Sequence, residues 1–288
     1  MQLTTPVIIS PSSLSIDHST PLLLMGSCFS DEIGGKLRAA GFDVLCNPFG
    51  TLYNPLSIAL ALQHALDDQE IDSDWLIQSD NIWHSWMHHS RFSHPDPSVC
   101  LAQCNESIHQ THAFLQRKPV LIVTFGTAYT FFLQGTGIAP AMQGKVVANC
   151  HKLPAAMFMR RRLSVEEIVK AWQPFTALNP VIFTVSPIRH MADGAHGNQL
   201  SKSTLLLAAE QMTEKCDGWH YFDSYEILLD ELRDYRFYAR DMCHPSEVAV
   251  DIVWERFQET YMSAETRECV RQQEKTYIRS QHRPIIEN

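Results

Sequence analysis

The sequence lacks several features that would assign it to a specialised class of protein. Its 288 residues contain no apolar run of the ~18 residues that a membrane-spanning helix requires, although 45% of them are apolar. Acidic residues outnumber basic ones by 32 to 23, for a net charge of −9, and the one basic cluster is the "RRR" at 160–162. We therefore expect a soluble globular protein whose partner is neither a nucleic acid nor a membrane.

Two further absences point to the cytoplasm. The stretch over 1–21 has neither the positive n-region nor the apolar h-region of a secretory signal. The eight cysteines are scattered rather than framed in tight pairs, which suits reduced thiols better than disulfides. Cys100 and Cys104 alone are closely spaced, which is a weak zinc signal without a second pair. We expect a cytoplasmic protein without a cofactor.

Short apolar runs alternate with amphipathic segments along the chain. The runs at 22–25, 43–46, 120–125, 181–185 and 219–222 are typical of strands buried on both faces. Strand–helix alternation predicts an α/β protein with a parallel sheet of about five strands, 22–25 in its middle, and helices on both faces. N-cap patterns begin two of these helices, Asn54 before Pro55 and Ser164 before Glu167. Helices are predicted over 55–66, 167–172, 199–216, 223–232, 246–260 and 264–280.

The chain has no internal repeat or low-complexity linker, which indicates a single domain over 1–288 with its core at about 20–260. Residues 261–288 are predicted to form a C-terminal helical extension. The segments 68–98 and 127–162 interrupt the alternation and are interpreted as excursions that form a lid or rim over a site. The first excursion is rich in histidine, but no spacing matches a known ligand pattern, so an aromatic and imidazole rim is favoured over a metal site. Its histidines are His84, His88, His89 and His94.

The stretch "LLLMGSCFSDEIG" at 22–34 predicts a strand that ends at Gly26 and turns directly into a helix. Ligands of parallel sheets gather at the carboxyl ends of strands. Ser27 or Cys28 would therefore lie at a helix start whose free N–H groups favour a developing negative charge. The alternative interpretation is that Ser27 caps the helix and Cys28 is a small core residue.

A second constellation lies in "YARDMCHPSEVAVDIVW" at 238–254. Asp241 and His244 stand three residues apart, just ahead of a predicted helix. At that spacing the carboxylate can accept from one imidazole nitrogen while the other nitrogen faces a nucleophile. Alternatively, they are a loop acid and a rim residue. His190 is a second candidate base, but no aspartate precedes it by three residues.

The stretch "SPIRHMADGAHGNQLSKSTL" follows the strand at 181–185 and also leaves the carboxyl edge of the sheet. Arg189, His190, Asn198 and Lys202 are therefore candidates for holding a polar or anionic substrate group. For Arg189 and Lys202, pairing with acidic neighbours such as Asp193 is an equally good interpretation.

The corner at Gly26 and the Asp-x-x-His-Pro before the last helices resemble the SGNH or GDSL class of hydrolases. Within that class, "GSCFS" resembles the signature of the GSCFA family. The resemblance spans about 20–260 and implies a flavodoxin-like α/β/α sandwich and an ester hydrolase or acyltransferase. Other stretches similar to that family are "NPFGTLYNPLSI" at 47–58, "ANCHKLP" at 148–154, "TVSPIRH" at 184–190 and "DELRDYRFYARDMCHPS" at 230–246.

The class motifs also imply roles for individual residues. Gly-Asp-Ser of the first block falls on Gly26, Ser27 and Cys28, so the resemblance favours Cys28 as the nucleophile, with Ser27 as the alternative. A helix start and a neighbouring protonated histidine are expected to lower the pKa of the Cys28 thiol. The oxyanion glycine of the second block falls on Gly50, where it would let N–H groups approach an oxyanion.

The third block departs from the class pattern. Its Gly-x-Asn-Asp falls on "GTAY", which begins at Gly126 and has Ala128 where the class has its oxyanion asparagine. Asn149 is a candidate for supplying that donor from another loop, or is a turn residue.

The leading hypothesis is a hydrolase or acyltransferase that acts on a small-molecule or carbohydrate ester, or on a thioester, through a covalent acyl-enzyme. The O-acetyl group of a carbohydrate is one candidate, by class analogy alone. The main alternative is a binding or regulatory module that kept the fold and lost efficient catalysis with Ala128. A third hypothesis, a zinc-dependent deacetylase built on the histidine-rich segment, would require bound metal.

Overall fold

The computed structural model describes residues 5–134 and 140–281. Within these ranges the chain forms an α/β domain with one large parallel sheet and two small antiparallel ones. The strands are β1 (Leu22–Gly26), β2 (Val44–Cys46), β3 (Leu76–Ser79), β4 (Ile82–Ser85), β5 (Val120–Phe125), β6 (Tyr129–Leu133), β7 (Val146–Val147), β8 (Phe158–Arg162), β9 (Val181–Val185) and β10 (Trp219–Phe222). The helices are α1 (Cys28–Ala39), α2 (Pro55–Asp67), α3 (Pro97–Leu115), α4 (Val165–Trp172), α5 (Gly194–Lys215), α6 (Ser224–Glu226), α7 (Glu247–Tyr261) and α8 (Ala264–Gln281).

The large sheet has five parallel strands in the order β10-β9-β5-β1-β2. This is the doubly wound order of flavodoxin-like folds, in which the strand order reverses between the first and third strands of the sheet. The prediction that 22–25 is the middle strand is wrong, because β5 occupies the middle. β1 is nevertheless interior, paired with β2 on one side and with β5 on the other. The point of reversal, where such folds bind their ligands, therefore lies between β1 and β5.

Both faces of the sheet are covered by helices. Along β1, Leu22 and Leu24 pack into one apolar cluster together with α1, α7 and α8, while Leu23 and Met25 pack into a second cluster with α2, α3, α4 and α5. Successive side chains of a strand point to opposite faces, so a strand buried between two layers must be apolar throughout. The predicted three-layer α/β/α sandwich is confirmed.

The start signals of two helices are also confirmed. The Asn54 side chain caps α2 by accepting from the Ser57 N–H, and Ser164 and Glu167 form a reciprocal capping box on α4. The segment 223–232 differs from its prediction, since the three residues of α6 continue into a π-helical turn. The long helix α3 was not assigned from the sequence, because it begins inside the aperiodic, histidine-rich region.

The two excursions pack against each other and share a small apolar core. The first contains the β3–β4 hairpin, and the second contains the sheet in the order β7-β6-β8. The Ala148 N–H donates to the Trp86 carbonyl and links them. Residues 135–139 of the second excursion and 282–288 of the C-terminal extension lie outside the described residues. The shared core consists of Ile77, Trp86, Leu133, Met142, Val147, Met157 and Phe158.

All eight cysteines are free thiols. Cys100 and Cys104 are both buried in α3 and contribute to the apolar core beneath it. The described part of the chain contains no group of three or more His, Cys, Asp or Glu side chains placed to hold a metal ion. Among the helices of 5–134 and 140–281, none is both long and apolar enough to cross a membrane.

Candidate active site

The corner between β1 and α1 depends on a glycine. Gly26 has a φ of +145°, and a Cβ atom at this position would lie 2.2 Å from the Thr124 carbonyl oxygen of the neighbouring strand β5. The Gly26 N–H donates to the Asn47 side-chain oxygen at 2.9 Å. Only a residue without a side chain allows β5 to approach this closely while the backbone turns. Contacts with β5 and with Asn47 therefore fix this corner, at the position where the strand order reverses.

We expect Gly26→Ala to lower the free energy of unfolding by roughly 2–5 kcal/mol, because it adds a backbone clash to an unfavourable φ. Urea denaturation followed by circular dichroism measures this change. Gly35→Ala is the matched control, since Gly35 lies in α1 and a Cβ atom there would have open space around it. The control should stabilise the protein by ~0.5–1 kcal/mol. Similar effects at the two positions would contradict this account of the corner.

Of the two nucleophile candidates, Cys28 faces the imidazole. The Cys28 thiol lies at the first residue of α1, partly exposed, with its Sγ 3.7 Å from His244 Nε2. Ser27 is buried, and its hydroxyl neither caps the helix nor has any hydrogen-bond partner among the described residues. Its Cβ lies 3.3 Å from where a Cβ on Gly126 would stand. Ser27 thus packs toward Gly126 at the end of β5, and no hydrogen bond joins it to His244 among the described residues.

The loop before α7 orients His244. Asp241 Oδ2 accepts from His244 Nδ1 at 2.5 Å, and Oδ1 accepts from the backbone N–H groups of His244 and Cys243 at 3.0 and 2.9 Å. These bonds, the two backbone donors first, hold the pKa of the Asp241 carboxyl far below its usual range. An ionised carboxylate can only accept, so the Nδ1 proton stays on the Asp241 side. In the neutral imidazole, the lone pair of Nε2 then faces Cys28.

Burial raises the pKa of the Cys28 thiol, and the carboxylates of Asp31 and Glu32 in α1 raise it further. The backbone N–H groups of Cys28 and Phe29 act in the opposite direction but do not outweigh the burial. The expectation that the helix start would give a depressed thiol pKa is therefore wrong. At neutral pH the thiol holds its proton, and a base must remove that proton during attack.

Three polar side chains of α5 tie the loops at the carboxyl edge together. Asn198, Ser201 and Lys202 lie on one face of the helix because their spacing is i, i+3, i+4. The Asn198 side chain accepts from the His190 N–H at 2.9 Å, and Ser201 Oγ accepts from the Ala128 N–H at 2.8 Å. The fully buried Lys202 ammonium donates to backbone carbonyls and cannot contact a substrate. These residues position loops rather than ligands.

Arg189 and His190 lie in the loop after β9, next to the His244 loop. The Arg189 guanidinium donates to the Met242 carbonyl at 3.0 Å, and the Arg189 backbone N–H donates to the Cys243 carbonyl. Arg189 therefore fastens the Asp241–His244 loop to the sheet, and its expected role in holding a substrate stays a prediction. Burial, together with the Lys202 charge, lowers the pKa of His190 to about 4, so this imidazole is neutral at pH 7.

The N–H groups of the two glycines that were expected to stabilise an oxyanion already donate hydrogen bonds to backbone carbonyls. Gly50, with a φ of +77°, donates to the Asn47 carbonyl at 2.7 Å, and Gly126 donates to the Tyr53 carbonyl at 2.8 Å. Ala128 is fully buried in the apolar cluster between the sheet and α2 to α5. A side chain at 128 therefore packs in the core. The backbone N–H groups of Cys28 and Phe29, at the start of α1, are the donors that interact with the thiol.

Asn149 is a turn residue in the second excursion. Its side-chain oxygen accepts from the His151 N–H at 2.9 Å, and His151 in turn bonds to the Ser85 carbonyl and stacks on His84 at 4.5 Å between ring centroids. No contact brings Asn149 to Cys28 within the described part of the chain. The imidazoles of this region contact hydroxyls, carbonyls and aromatic rings. The rim interpretation is wrong for His88, which is fully buried between the Ser85 and Ser107 hydroxyls and belongs to the core.

Two residues that position the site were not found from the sequence. Asn47 is buried with a φ of +45°, and it bonds to Gly26 through its side chain and to Gly50 through its carbonyl. The Tyr53 carbonyl accepts from two successive N–H groups, those of Gly126 and Thr127. The available signal was the "NPFG" stretch directly after β2, since Asn followed by Pro and then Gly is typical of a tight turn.

Comparison with known proteins supports the resemblance seen in the motifs. The model of the GSCFA family matches residues 21–257, a range that contains both the Cys28 corner and the His244 loop. The predicted resemblance to this family is confirmed. No curated protein matches the chain.

Proposed function

We propose that this chain, which belongs to the GSCFA family, hydrolyses or transfers the acyl group of an ester or thioester through a covalent intermediate on Cys28. One observation carries the proposal. Cys28 Sγ, His244 and Asp241 form a continuous hydrogen-bonded line, with 3.7 Å from Sγ to Nε2 and 2.5 Å from Nδ1 to the carboxylate. A nucleophile, a base and a group that orients the base are the three components that acyl transfer by this route requires.

In the first step, Cys28 Sγ attacks the acyl carbonyl carbon while its proton passes to His244 Nε2. Because burial and nearby carboxylates raise the pKa of the thiol, proton removal and attack belong to the same event, as for a serine nucleophile. The imidazolium then gives this proton to the leaving alkoxide or thiolate. Asp241 stabilises the imidazolium through Nδ1 and keeps the ring oriented.

In the second step, water or an acceptor hydroxyl gives a proton to His244 Nε2 and attacks the carbonyl carbon of the acyl-thioester. The C–S bond breaks, and the Cys28 sulfur recovers the proton as a thiol. Hydrolysis and transfer differ only in the attacking group, so the same three residues serve both. The N–H groups of Cys28 and Phe29 at the start of α1 are the proposed donors to the oxyanion, because the first residues of a helix have no intrahelical acceptor.

We expect a short-chain aryl thioester, and more slowly the matching aryl ester, to give a burst of product equal to the enzyme concentration. The burst reports acyl-enzyme formation ahead of a slower deacylation. Intact-mass spectrometry during the burst should show one added acyl group, and peptide mapping should locate it on Cys28. An acyl group on any other residue would contradict the assignment.

One observation favours the alternative of a binding or regulatory module. The N–H groups of Gly50 and Gly126 already donate to backbone carbonyls, and Ala128 is buried in the core, so the acyl oxyanion has fewer donors than the class resemblance implies. If neither aryl thioester nor aryl ester yields product or a covalent adduct, the binding module becomes the better hypothesis. Zinc found by elemental analysis of the purified protein would instead favour the metal-dependent deacetylase.

The proposed acyl donor is a small molecule or a carbohydrate ester, with nucleic acid and membranes disfavoured by the net charge of −9 and the composition. We also propose a cytoplasmic location, which eight free thiols support because the cytosol keeps cysteines reduced. A library of acetylated sugars and acyl-thioesters, scored by release of free acid, would identify the acyl group and its acceptor.

A further inference from the structure

A cavity of about 410 Å³ adjoins the loop that carries His244. Two of the residues that line it bond into that loop. The Arg189 guanidinium donates to the Met242 carbonyl, and Tyr238 forms a β-bridge with Pro245, the residue after His244. The volume of the cavity lies within the range of roughly 300–1,000 Å³ that small-molecule sites occupy. None of the three residues proposed to carry acyl transfer lines it.

Arg189 has more N–H donors than the loop uses. A guanidinium carries five of them, and the acceptor that the described residues provide is the Met242 carbonyl at 3.0 Å. The guanidinium carbon lies 5.6 Å from the centre of the Tyr238 ring, and no carboxylate pairs with Arg189 within 5–134 and 140–281. A bond to one carbonyl requires one donor and no charge, so the remaining donors and the charge are available to an anion.

A second arginine lines the same cavity. Arg233 is exposed, and its Nε lies 3.6 Å from the carboxylate of Asp230, one turn away. Exposed pairs of this kind contribute little stability, so Arg233 can exchange Asp230 for a ligand at small cost. The carboxylate in the lining, that of Asp234, already accepts from the backbone and the guanidinium of Arg236. The lining therefore carries a net positive charge in a chain whose overall charge is −9.

The neutral groups of the lining suit a hydroxylated ring. Tyr235 is 66% exposed, and its ring centre lies 6.1 Å from that of Tyr238. Gln199 accepts from the Tyr225 hydroxyl at 2.8 Å, and its amide NH2 has no partner among the described residues. A sugar ring has apolar C–H faces that pack on an aromatic ring and hydroxyls that bond to an amide. Together with two guanidinium groups, this lining indicates a sugar that carries an anionic group.

We propose that this cavity binds an anionic sugar, whose carboxylate or phosphate pairs with Arg189 and Arg233 and whose ring packs on Tyr235. Guanidinium groups bind both kinds of anion through paired N–H donors. The inference rests on the proposed function in one respect, since it takes the sugar as the alcohol part of the ester. That part belongs beside the base, because His244 gives its proton to the leaving alkoxide.

The test measures dissociation constants for three free sugars by ligand-observed NMR in the wild-type protein. Glucuronic acid carries a carboxylate, glucose 6-phosphate carries a phosphate, and glucose carries neither. At least one of the two anionic sugars should bind ~10-fold more tightly than glucose, because hydrogen bonds to a charged group are the stronger ones. The tighter of the two identifies the anion. No binding, or equal binding of all three sugars, would overturn the proposal.

Two exposed positions locate the binding in this cavity. Arg233→Gln should weaken binding of the anionic sugar ~10-fold and leave glucose unchanged, since the charge alone is lost. Tyr235→Ala should weaken both ~3–10-fold, and Tyr235→Phe, which keeps the ring, should bind like wild type. Arg271→Gln is the matched control. Arg271 pairs with Glu268 three residues away, as Arg233 does with Asp230, but lines a different cavity.

A folded Arg233→Gln protein that binds the anionic sugar like wild type would also overturn the proposal, and thermal melts followed by circular dichroism check the fold. Free sugars carry no acyl group, so their binding is independent of Cys28. Sugar binding without thioester turnover would remove the proposed acyl transfer and leave this site. Turnover without sugar binding would remove this site and leave acyl transfer.

A kinetic comparison tests the link between the cavity and the reaction. The O-acetyl ester of the anionic sugar should have a lower KM than O-acetyl glucose in wild type. Arg233→Gln should raise the KM of the anionic ester ~10-fold with kcat nearly unchanged, because an interaction made equally in the ground state and the transition state affects binding alone. An unchanged KM would show that the sugar in this cavity is not the alcohol part of the ester.

Discussion

Cys28→Ala is expected to abolish acyl-enzyme formation and to lower thioester turnover by at least ~10³-fold, because no other group replaces the nucleophile. Ser27→Ala should retain activity within a few-fold, since the Ser27 hydroxyl is buried and caps nothing, and Ser27 packs toward Gly126 at the end of β5. The measurement is intact-mass spectrometry of the acyl adduct, combined with initial rates on an aryl thioester. The difference between the two variants decides which residue of the corner attacks.

Cys216→Ala is the control for this pair. Cys216 is partly exposed like Cys28, but it lies between α5 and β10, at the amino-terminal edge of the sheet. It should react like wild type and acquire the adduct on Cys28. If Cys28→Ala keeps its acyl transfer while Ser27→Ala loses it, the nucleophile is Ser27, and the corner must rearrange to bring its hydroxyl to His244.

His244→Ala should lower acylation by at least ~100-fold, the lower end of what a positioned acid–base group contributes. The effect should be large here because burial raises the thiol pKa and leaves little thiolate to react without a base. The loss should shrink as the pH rises, since hydroxide then supplies the thiolate that His244 normally generates. Single-turnover acylation rates from pH 6 to 10 measure this dependence.

Asp241→Asn should cost less than His244→Ala, because the backbone of the Asp241 loop still places the imidazole. The Ala239 N–H donates to the His244 carbonyl, and Arg189 holds the adjacent Cys243 carbonyl, so the loop has supports besides the carboxylate.

For the His244→Ala experiment, His220→Ala, on the edge strand β10, is the control for loss of a histidine outside the site. A His244→Ala variant with near-wild-type rates at pH 7 would remove His244 from the mechanism.

The regular elements were predictable because their signals are local. The strands at 120–125, 181–185 and 219–222 have the predicted bounds, since a continuous apolar run between turn residues is typical of a strand buried on both faces. The caps at Asn54 and Ser164 are equally local, because a side chain there bonds within its own first turn. The order of the strands in the sheet was harder to predict from the sequence, and β5 rather than β1 occupies the middle position.

The roles of the polar residues around the corner depended on distant contacts. Asn198 and Lys202 were expected at a ligand, and each instead bonds to a loop brought to α5 by the fold. Asn47 holds Gly26 from 21 residues away, which no spacing rule reveals. The direction of the pKa shift of the Cys28 thiol could not be predicted from the sequence either, because the burial of a side chain depends on how the protein packs.

The sequence by itself determined that this protein is an α/β sandwich of the GSCFA family, with a glycine, a serine and a cysteine at the end of its first strand and an Asp-x-x-His near its last helices. The spacing of apolar residues and the motifs are properties of the sequence, so they can be recognised without coordinates. The tertiary structure alone decided that Cys28 rather than Ser27 faces His244, that carboxylates and burial oppose its thiolate, and that the buried Lys202 bonds to the Gly126 carbonyl. These features depend on side chains from distant parts of the chain, whose distances and shared dielectric environment are created by folding.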